Sequence, residues 1–277
     1  FVVGKIEVVL ISSELAEQGV NSLIDSLSRD PYVGAQIYVA IVQGETQALL
    51  EKKLGQNDNG SYLSSMLEHA VETIGLPDTN LHRFLYAYYA DGLDPVLPLI
   101  QLKEDKAAII GTALFKGDRM VGHIPLGNEM SIFKMLLENS TKQDTFALPV
   151  SSSGDKKTYA SINKLNSKRS IHVQMQGETP KITIYLSMEG HVREYSGTEK
   201  TEQIKPNIKE QLEQMIQIEA EKLIEQFQEA GIDPLGIGEK ARSRYRNWNA
   251  KKWEEQYRMS NIAVHVDVTI TEAGVTK

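Results

Sequence analysis

The stretch from Asn207 to Gly238 does most to limit what this chain can fold into. In it Ile208, Leu212, Met215, Leu223 and Phe227, with Ala220 between them, recur at helical spacing, and the intervening positions are almost all Glu, Gln or Lys. Such a stripe is one face of an amphipathic helix, and that face has to be buried. Asn207 can accept from the backbone N–H of Glu210 while Glu210 reaches back, which predicts a capping-box start at Asn207. Gly231 suits the left-handed position after the last turn, with Ile232 folding back on Phe227. About 24 residues at about 1.5 Å each make a rod of roughly 35 Å, long enough to cross a sheet. The helix is expected to be the spine of an α+β domain.

The rest of the chain supplies the sheets. Lys5–Ser12 and Ala35–Val42 are β-rich and flank a helical pattern at Leu15–Leu27, so they form a β-α-β unit with parallel strands. Helical patterns follow at Thr46–Leu54, Tyr62–Ile74 and Asn80–Ala90, separated by turn-rich GQNDNGS and GLPDT. Asp94-Pro95 and Pro98 stop that series, and Val96–Leu102 returns to extended chain. Ala107–Phe115 and Arg119–Ile124 flank Lys116-Gly117-Asp118, a Gly-first hairpin turn, and a helix spans Asn128–Leu137. Beyond the polar Asn139–Asp144, four alternating runs form an antiparallel meander: Thr145–Val150, Thr158–Leu165, Ser170–Gln176 and Lys181–Met188. SSSGDKK, NSK and GETP are the turns between them. After the spine come a helix over Glu239–Tyr257 and a strand over Asn261–Thr271, in which Ile262, Val264, Val266, Val268 and Ile270 share one face. The expected fold is α+β, with three mixed α/β modules over residues 1–104, 105–142 and 143–277. The last of these is an antiparallel sheet packed against the long helix.

With 277 residues, of which 41% are hydrophobic, the chain can fill two or three cores. Its net charge of −7, without an uncompensated Lys/Arg run, argues against nucleic acid as a partner. The absence of cysteine excludes disulfides, zinc–thiolate sites, iron–sulfur clusters and cysteine lipidation within this chain. No stretch approaches the ~18 apolar residues of a membrane helix. The opening FVVGKIEVVLIS resembles the edge of a strand inside a domain, so a portion preceding Phe1 is expected.

Most chemistry-bearing motifs fail on context. Gly236-Ile237-Gly238-Glu239-Lys240-Ala241 fits a dinucleotide fingerprint, but a helix and a Pro turn precede it where a strand is required. The simpler reading has Asp233 as cap, Pro234 at the first helical position, and glycines that allow two helices to pack closely. Six histidines show no paired helical spacing. His265 and Asp267 share a strand face, and a polar outer face explains them without a metal. The loop at 56–61 lacks the calcium ligands required at Gly55 and Met66. Neither a nucleophile elbow nor a Walker A loop is present, so no catalytic, metal or cofactor site is assigned. Asn59-Gly60-Ser61 and Asn139-Ser140-Thr141 fit the glycosylation pattern alone.

One cluster stands out. Arg242, Arg244, Arg246, Trp248, Lys251, Lys252 and Trp253 bring cations and indoles together after the spine. As a functional site it is a contact surface for a protein or membrane, carried by Arg242, Arg246, Trp248, Lys252 and Trp253. As plain structure, Ala241, Tyr245 and Trp248 pack on the spine helix while its Glu residues pair the cations.

Several blocks occur in a familiar order: IGTALFKGDRMVGHIP, KITIYLSMEGHVREYSG, AGIDPLGIGEKARSRYRNW and NIAVHVDVTITEAG. Together with the opening EVVLISSELAEQGVNSLIDSLSRDPYV, they resemble the Ger(x)C family, the C-subunits of spore germinant receptors, and look closest to members from GerB-type receptors. The resemblance implies a non-enzymatic lipoprotein on the outer face of the spore inner membrane, anchored through a lipidated cysteine absent from this chain. It also implies assembly with two integral membrane subunits, of A and B type, into a sensor of small nutrients. No catalytic residue and no cofactor carries over. The alternative is a binding protein for a small molecule or cell-wall fragment, using a cleft between the first and last domains.

Overall fold

The structure, a computed structural model, describes residues 6–30, 33–34, 36–55, 58–141, 143–150, 158–198 and 200–271. The SSSGDKK turn and part of the 56–61 loop lie outside the described residues. The chain forms two compact units, one of Phe1–Glu72, Leu76–Leu126 and Phe227–Arg258, the other of Thr73–Gly75, Gly127–Gln226 and Met259–Lys277.

The first unit is built on a five-stranded sheet in the order β1 (Val8–Ser12), β2 (Tyr38–Gln43), β3 (Val96–Lys103), β4 (Lys106–Lys116) and β5 (Arg119–Pro125). The first three strands run parallel, and β4 and β5 add as antiparallel hairpins. The β-α-β unit read from the sequence is therefore present. Strand β2, YVAIVQ, shows why the sheet is covered on both faces: Val39 and Ile41 point to one core, Ala40 and Val42 to another. A nearly continuous apolar run is what a doubly covered parallel strand requires. The first core takes Ala16 from α1 (Ser13–Gln18), Ile24 from α2 (Asn21–Arg29) and Phe84 from α5 (Leu81–Tyr89). The second takes Leu49 from α3 (Thr46–Glu51) and Leu63 and Leu67 from α4 (Asn59–Thr73).

Two expectations change here. The single helix over Leu15–Leu27 is broken at Gly19, whose φ of 120° no helix accommodates, and the N–H of Val20 bonds to the carbonyl of Asp118 instead. The boundary placed after residue 104 falls in the two-residue β3–β4 turn, and one hydrogen-bonded sheet runs across it. The Gly-first hairpin between β4 and β5 forms as read, with Gly117 at φ 55°.

The second unit holds a four-stranded sheet in the order β6 (Asp144–Val150), β7 (Thr158–Gln176), β8 (Thr179–Tyr195) and β9 (Ile262–Thr271), with α6 (Asn128–Leu137) and most of α7 (Thr201–Ala230). The meander β6-β7-β8 is antiparallel as expected, but β9 joins parallel to β8, so the sheet is mixed. Asn166-Ser167-Lys168 is not a turn. It pairs with Glu189, Met188 and Ser187 inside one long β7, and a register irregularity between Lys164 and Asn166 absorbs the polar stretch. Along β8, Ile182, Ile184, Leu186 and Met188 are buried while Lys181, Tyr185 and Ser187 face water.

Helix α7 begins at Thr201, six residues before the expected cap, and carries Pro206 within it. Buried Ile204 extends the apolar stripe past the proline, and Asn207 bonds to Gln211 rather than capping. The buried face is Ile204, Ile208, Leu212, Ile216, Ala220, Leu223, Ile224 and Phe227, with Met215 only half-buried. The helix holds β9 by its edge: the Glu213 carboxylate accepts from the N–H of Val268 at 2.8 Å, and Lys209 lies 3.4 Å from Asp267. A side chain that occupies an edge N–H also blocks pairing with a foreign strand.

Candidate functional site

Two short loops in the first unit repeat one pattern. Gly92-Leu93-Asp94-Pro95 follows α5, and Gly231-Ile232-Asp233-Pro234 follows α7. In each, the proline forbids helix for the residue before it, so the aspartate turns out of the helical path. The two loops clasp each other. The N–H of Asp94 donates to the carbonyl of Asp233 at 3.0 Å, and the N–H of Asp233 donates to Asp94 Oδ2 at 2.7 Å. Asp94 Oδ1 accepts from Gly117 N–H at 3.1 Å, which ties in the β4–β5 hairpin.

Asp233 turns its carboxylate to the start of α8 (Ile237–Arg244), accepting from the N–H groups of Ile237 at 3.1 Å and Gly238 at 2.7 Å. It caps the helix, as expected, but Pro234 lies in the preceding turn and Gly236, in the left-handed region, is the residue before the first helical turn. The close approach that the glycines permit is also different: a Cβ on Gly238 would come 2.8 Å from Gly92 Cα and 2.5 Å from Trp253 Nε1.

Burial dominates the electrostatics. It pushes the Asp233 carboxyl up to about 7, against the pull of the α8 amides, with nearby Asp94 adding to the rise. Asp94 is raised by burial too, opposed by Lys116 and by the amides of Asp233 and Gly117. The Tyr257 phenol is pushed well above its ordinary value, by burial first and then by these two aspartates. Lys116 Nζ stands 3.0 Å from Glu254 Oε1 and 3.9 Å from Asp94 Oδ2. A cavity of about 210 Å³ opens here, lined by Asp94, Lys116, Asp233, Trp253, Glu254 and Tyr257 among others.

The basic and aromatic cluster divides in two. The expected single helix over Glu239–Tyr257 is α8 and α9 (Ala250–Met259), separated by a bend at Tyr245–Asn249. Trp253 is only 3% exposed and lies between Trp248 and Tyr257, with ring centroids 6.4 Å apart on each side. Trp253 is thereby withdrawn from any contact surface, and Trp248 is half-buried. Arg242, Arg246 and Lys252 are exposed, with Arg244 and Lys251 beside them. Arg242 lies 3.7 Å from Asp91 rather than pairing with a spine-helix Glu. His265 stacks on Tyr185 and Asp267 pairs with Lys209, and among the described residues no group of three or more His, Asp or Glu could hold a metal. Asp94, Lys116 and Tyr257 match no catalytic or binding motif in the sequence. The repeated Gly–apolar–Asp–Pro pattern was the signal available for Asp94.

Residues 1–102 match the family described as spore germination protein N-terminal domain, and residues 110–274 match the spore germination B3/GerAC-like C-terminal family. The chain belongs to this family, the Ger(x)C C-subunits of germinant receptors. It is 30% identical to the spore germination protein GerQC of Bacillus cereus, over 99% of this chain and 76% of that one. It is 24% identical to the putative spore germination protein YfkR of Bacillus subtilis (strain 168), over 96% and 71%. The crystal structure of the GerBC protein shares the fold at a TM-score of 0.73 and 15% identity, covering 96% of this chain and 78% of that one. The two matched segments meet within the β3–β4 hairpin, so the five-stranded sheet draws strands from both, and so does the Asp94–Asp233 clasp.

Proposed function

We propose that this chain is a non-enzymatic, peripheral subunit of a spore nutrient germinant receptor. A lipid on a cysteine outside this chain holds it to the outer face of the spore inner membrane. It acts through contacts with two integral membrane subunits. The observation that carries this reading is the family match along nearly the whole chain. A second supports it: among the described residues no helix is long and apolar enough to cross a membrane. The contact surface is the exposed face of α8 and α9, with Arg242, Arg246 and Lys252 as its charged points and Trp248 at its base. A face of this sign is complementary to an acidic partner surface.

The test is charge reversal of Arg242, Arg246 and Lys252 to Glu in the native gene. The expected outcome is an unchanged melting curve, loss of co-purification with the membrane subunits, and loss of the nutrient response of the spores. Spores that germinate normally with the triple variant would overturn the contact face. Normal nutrient germination by every receptor after deletion of the gene would overturn the subunit role itself.

A further inference from the structure

We propose that the cavity beside Asp94 binds a small organic cation of the primary-ammonium class. Asp91, Asp94, Asp233 and Glu254 are among its lining residues. Asp233 turns its carboxyl to the α8 amides and Asp91 lies 3.7 Å from Arg242, which leaves Asp94 and Glu254 as the acids that meet a ligand, with Lys116 the one basic residue of the lining. That lysine is committed mainly to Glu254, at 3.0 Å, and its 3.9 Å separation from Asp94 is too long for a hydrogen bond. Asp94 is nonetheless held in place, since both of its oxygens accept backbone N–H groups, and its side chain is only 12% exposed. A fixed, desolvated carboxylate without a full counter-charge attracts a cation, and each acid crowded beside it strengthens that attraction.

The remaining wall selects the kind of cation. Tyr88, Trp253 and Tyr257 line the same space, and aromatic faces attract an ammonium group as well as its short alkyl stem. Leu93 and Ala250 add apolar surface for that stem. Three N–H donors suit carboxylate and carbonyl acceptors, which a bulky quaternary ammonium would lack. A cavity of about 210 Å³ admits a molecule of only a few heavy atoms. Two larger grooves beside α4 make a useful contrast. They measure about 690 and 550 Å³, and the acidic side chains on the first, Glu68 and Glu72, are exposed to solvent rather than fixed in a wall.

Binding a cation here holds the neighbouring carboxyl groups in their ionised form, so affinity rises with pH. Asp94 and Asp233 face each other, Lys116 from β4 and Glu254 and Tyr257 from α9, with Asp91 of the α5–β3 loop in the same lining. Among these, Asp233 is the one set to change charge near pH 7. The inference stands apart from the receptor reading, because it rests on the lining of this cavity and not on the family match.

The chain has two tryptophans, so Trp248→Phe leaves Trp253, in the cavity wall, as the only indole reporter. Ethylammonium chloride is titrated into the folded full chain, with sodium chloride and ethanol as controls. The expected result is a saturable change in Trp253 emission with a midpoint in roughly the millimolar range, as suits so few heavy atoms. The controls give none, and the midpoint tightens several-fold between about pH 6 and pH 8. Asp94→Asn is expected to weaken binding about tenfold or more, and Glu254→Gln several-fold. An unsaturated response, an equal response to sodium chloride, or a midpoint unmoved by Glu254→Gln would overturn the proposal. Glu254 is 62% exposed at the mouth, so its variant decides the matter even if Asp94→Asn fails to fold.

Discussion

The two Gly–apolar–Asp–Pro loops look alike in sequence but need their shared residues for different reasons. Gly231, at φ 65°, closes a helix: Ile232 N–H reaches the carbonyl of Phe227 at 2.9 Å and Gly231 N–H that of Gln228 at 3.1 Å. This is the paired arrangement of a left-handed helix cap. The nearest atoms a Cβ there would meet are those of the Arg258 guanidinium, the movable end of an exposed side chain. Gly92, at φ 82°, lies beyond the end of α5, where Ala90 N–H has already bonded to Tyr86. Its carbonyl accepts from Glu239 N–H at 3.0 Å, and a Cβ would stand 2.6 Å from the carbonyl carbon of Gly238. One glycine serves its own helix, while the other lets two backbones touch. The aspartates differ in the same way: Asp233 caps the helix that follows it, and Asp94 holds a distant loop and a hairpin.

Substitution at the two glycines should separate these roles most sharply. Gly92→Ala must push backbone against backbone from a left-handed position, so a loss of about 3–5 kcal/mol is expected in chemical denaturation. The pH dependence of Asp233 comes next. Its folded value, about 7, is above its ordinary value, so its contribution is fully present below about pH 4 and is lost as pH rises through 7. Over that window the stability of the native chain, measured relative to Asp233→Asn to cancel other groups, should fall by roughly 4 kcal/mol at most. A flat difference between pH 5 and 8 would show that the α8 amides offset burial completely.

Asp94→Ala leaves the amides of Asp233 and Gly117 without their acceptor, at a cost of about 2–3 kcal/mol, and should not carry the same pH slope. Gly231→Ala should cost only about 1–2 kcal/mol, because Arg258 can swing aside and only the left-handed backbone is strained. Equal losses at Gly231 and Gly92 would erase the distinction between cap and contact. Glu225→Ala, on the exposed face of α7 near the second loop, is the baseline and should stay under about 0.5 kcal/mol by the same denaturation measurement.

What the sequence determined by itself is local. The apolar period of α7, the Schellman-type end at Gly231 and Ile232, the parallel β-α-β opening, the α6 span and the β9 face were all legible, because each follows from residues within a few positions of one another. The ordered blocks also gave the family. Tertiary structure decided the remainder. Burial of Ile204 carried α7 past Pro206, and pairing with β8 kept β7 extended through a stretch of turn residues. The direction of β9, parallel to β8, depended on a connection through α7, α8 and α9 rather than on its own pattern. Lys164 lies on an alternating strand that reads as half-exposed, yet it is fully buried opposite Asp144, and burial lowers its pKa. The clasp is the clearest case. Asp94 and Asp233 are 139 positions apart, and no local preference of either could show that each would accept or donate to the other. Periodicity and capping act within a turn or two, whereas burial, charge shift and backbone contact depend on which distant residue the fold brings alongside.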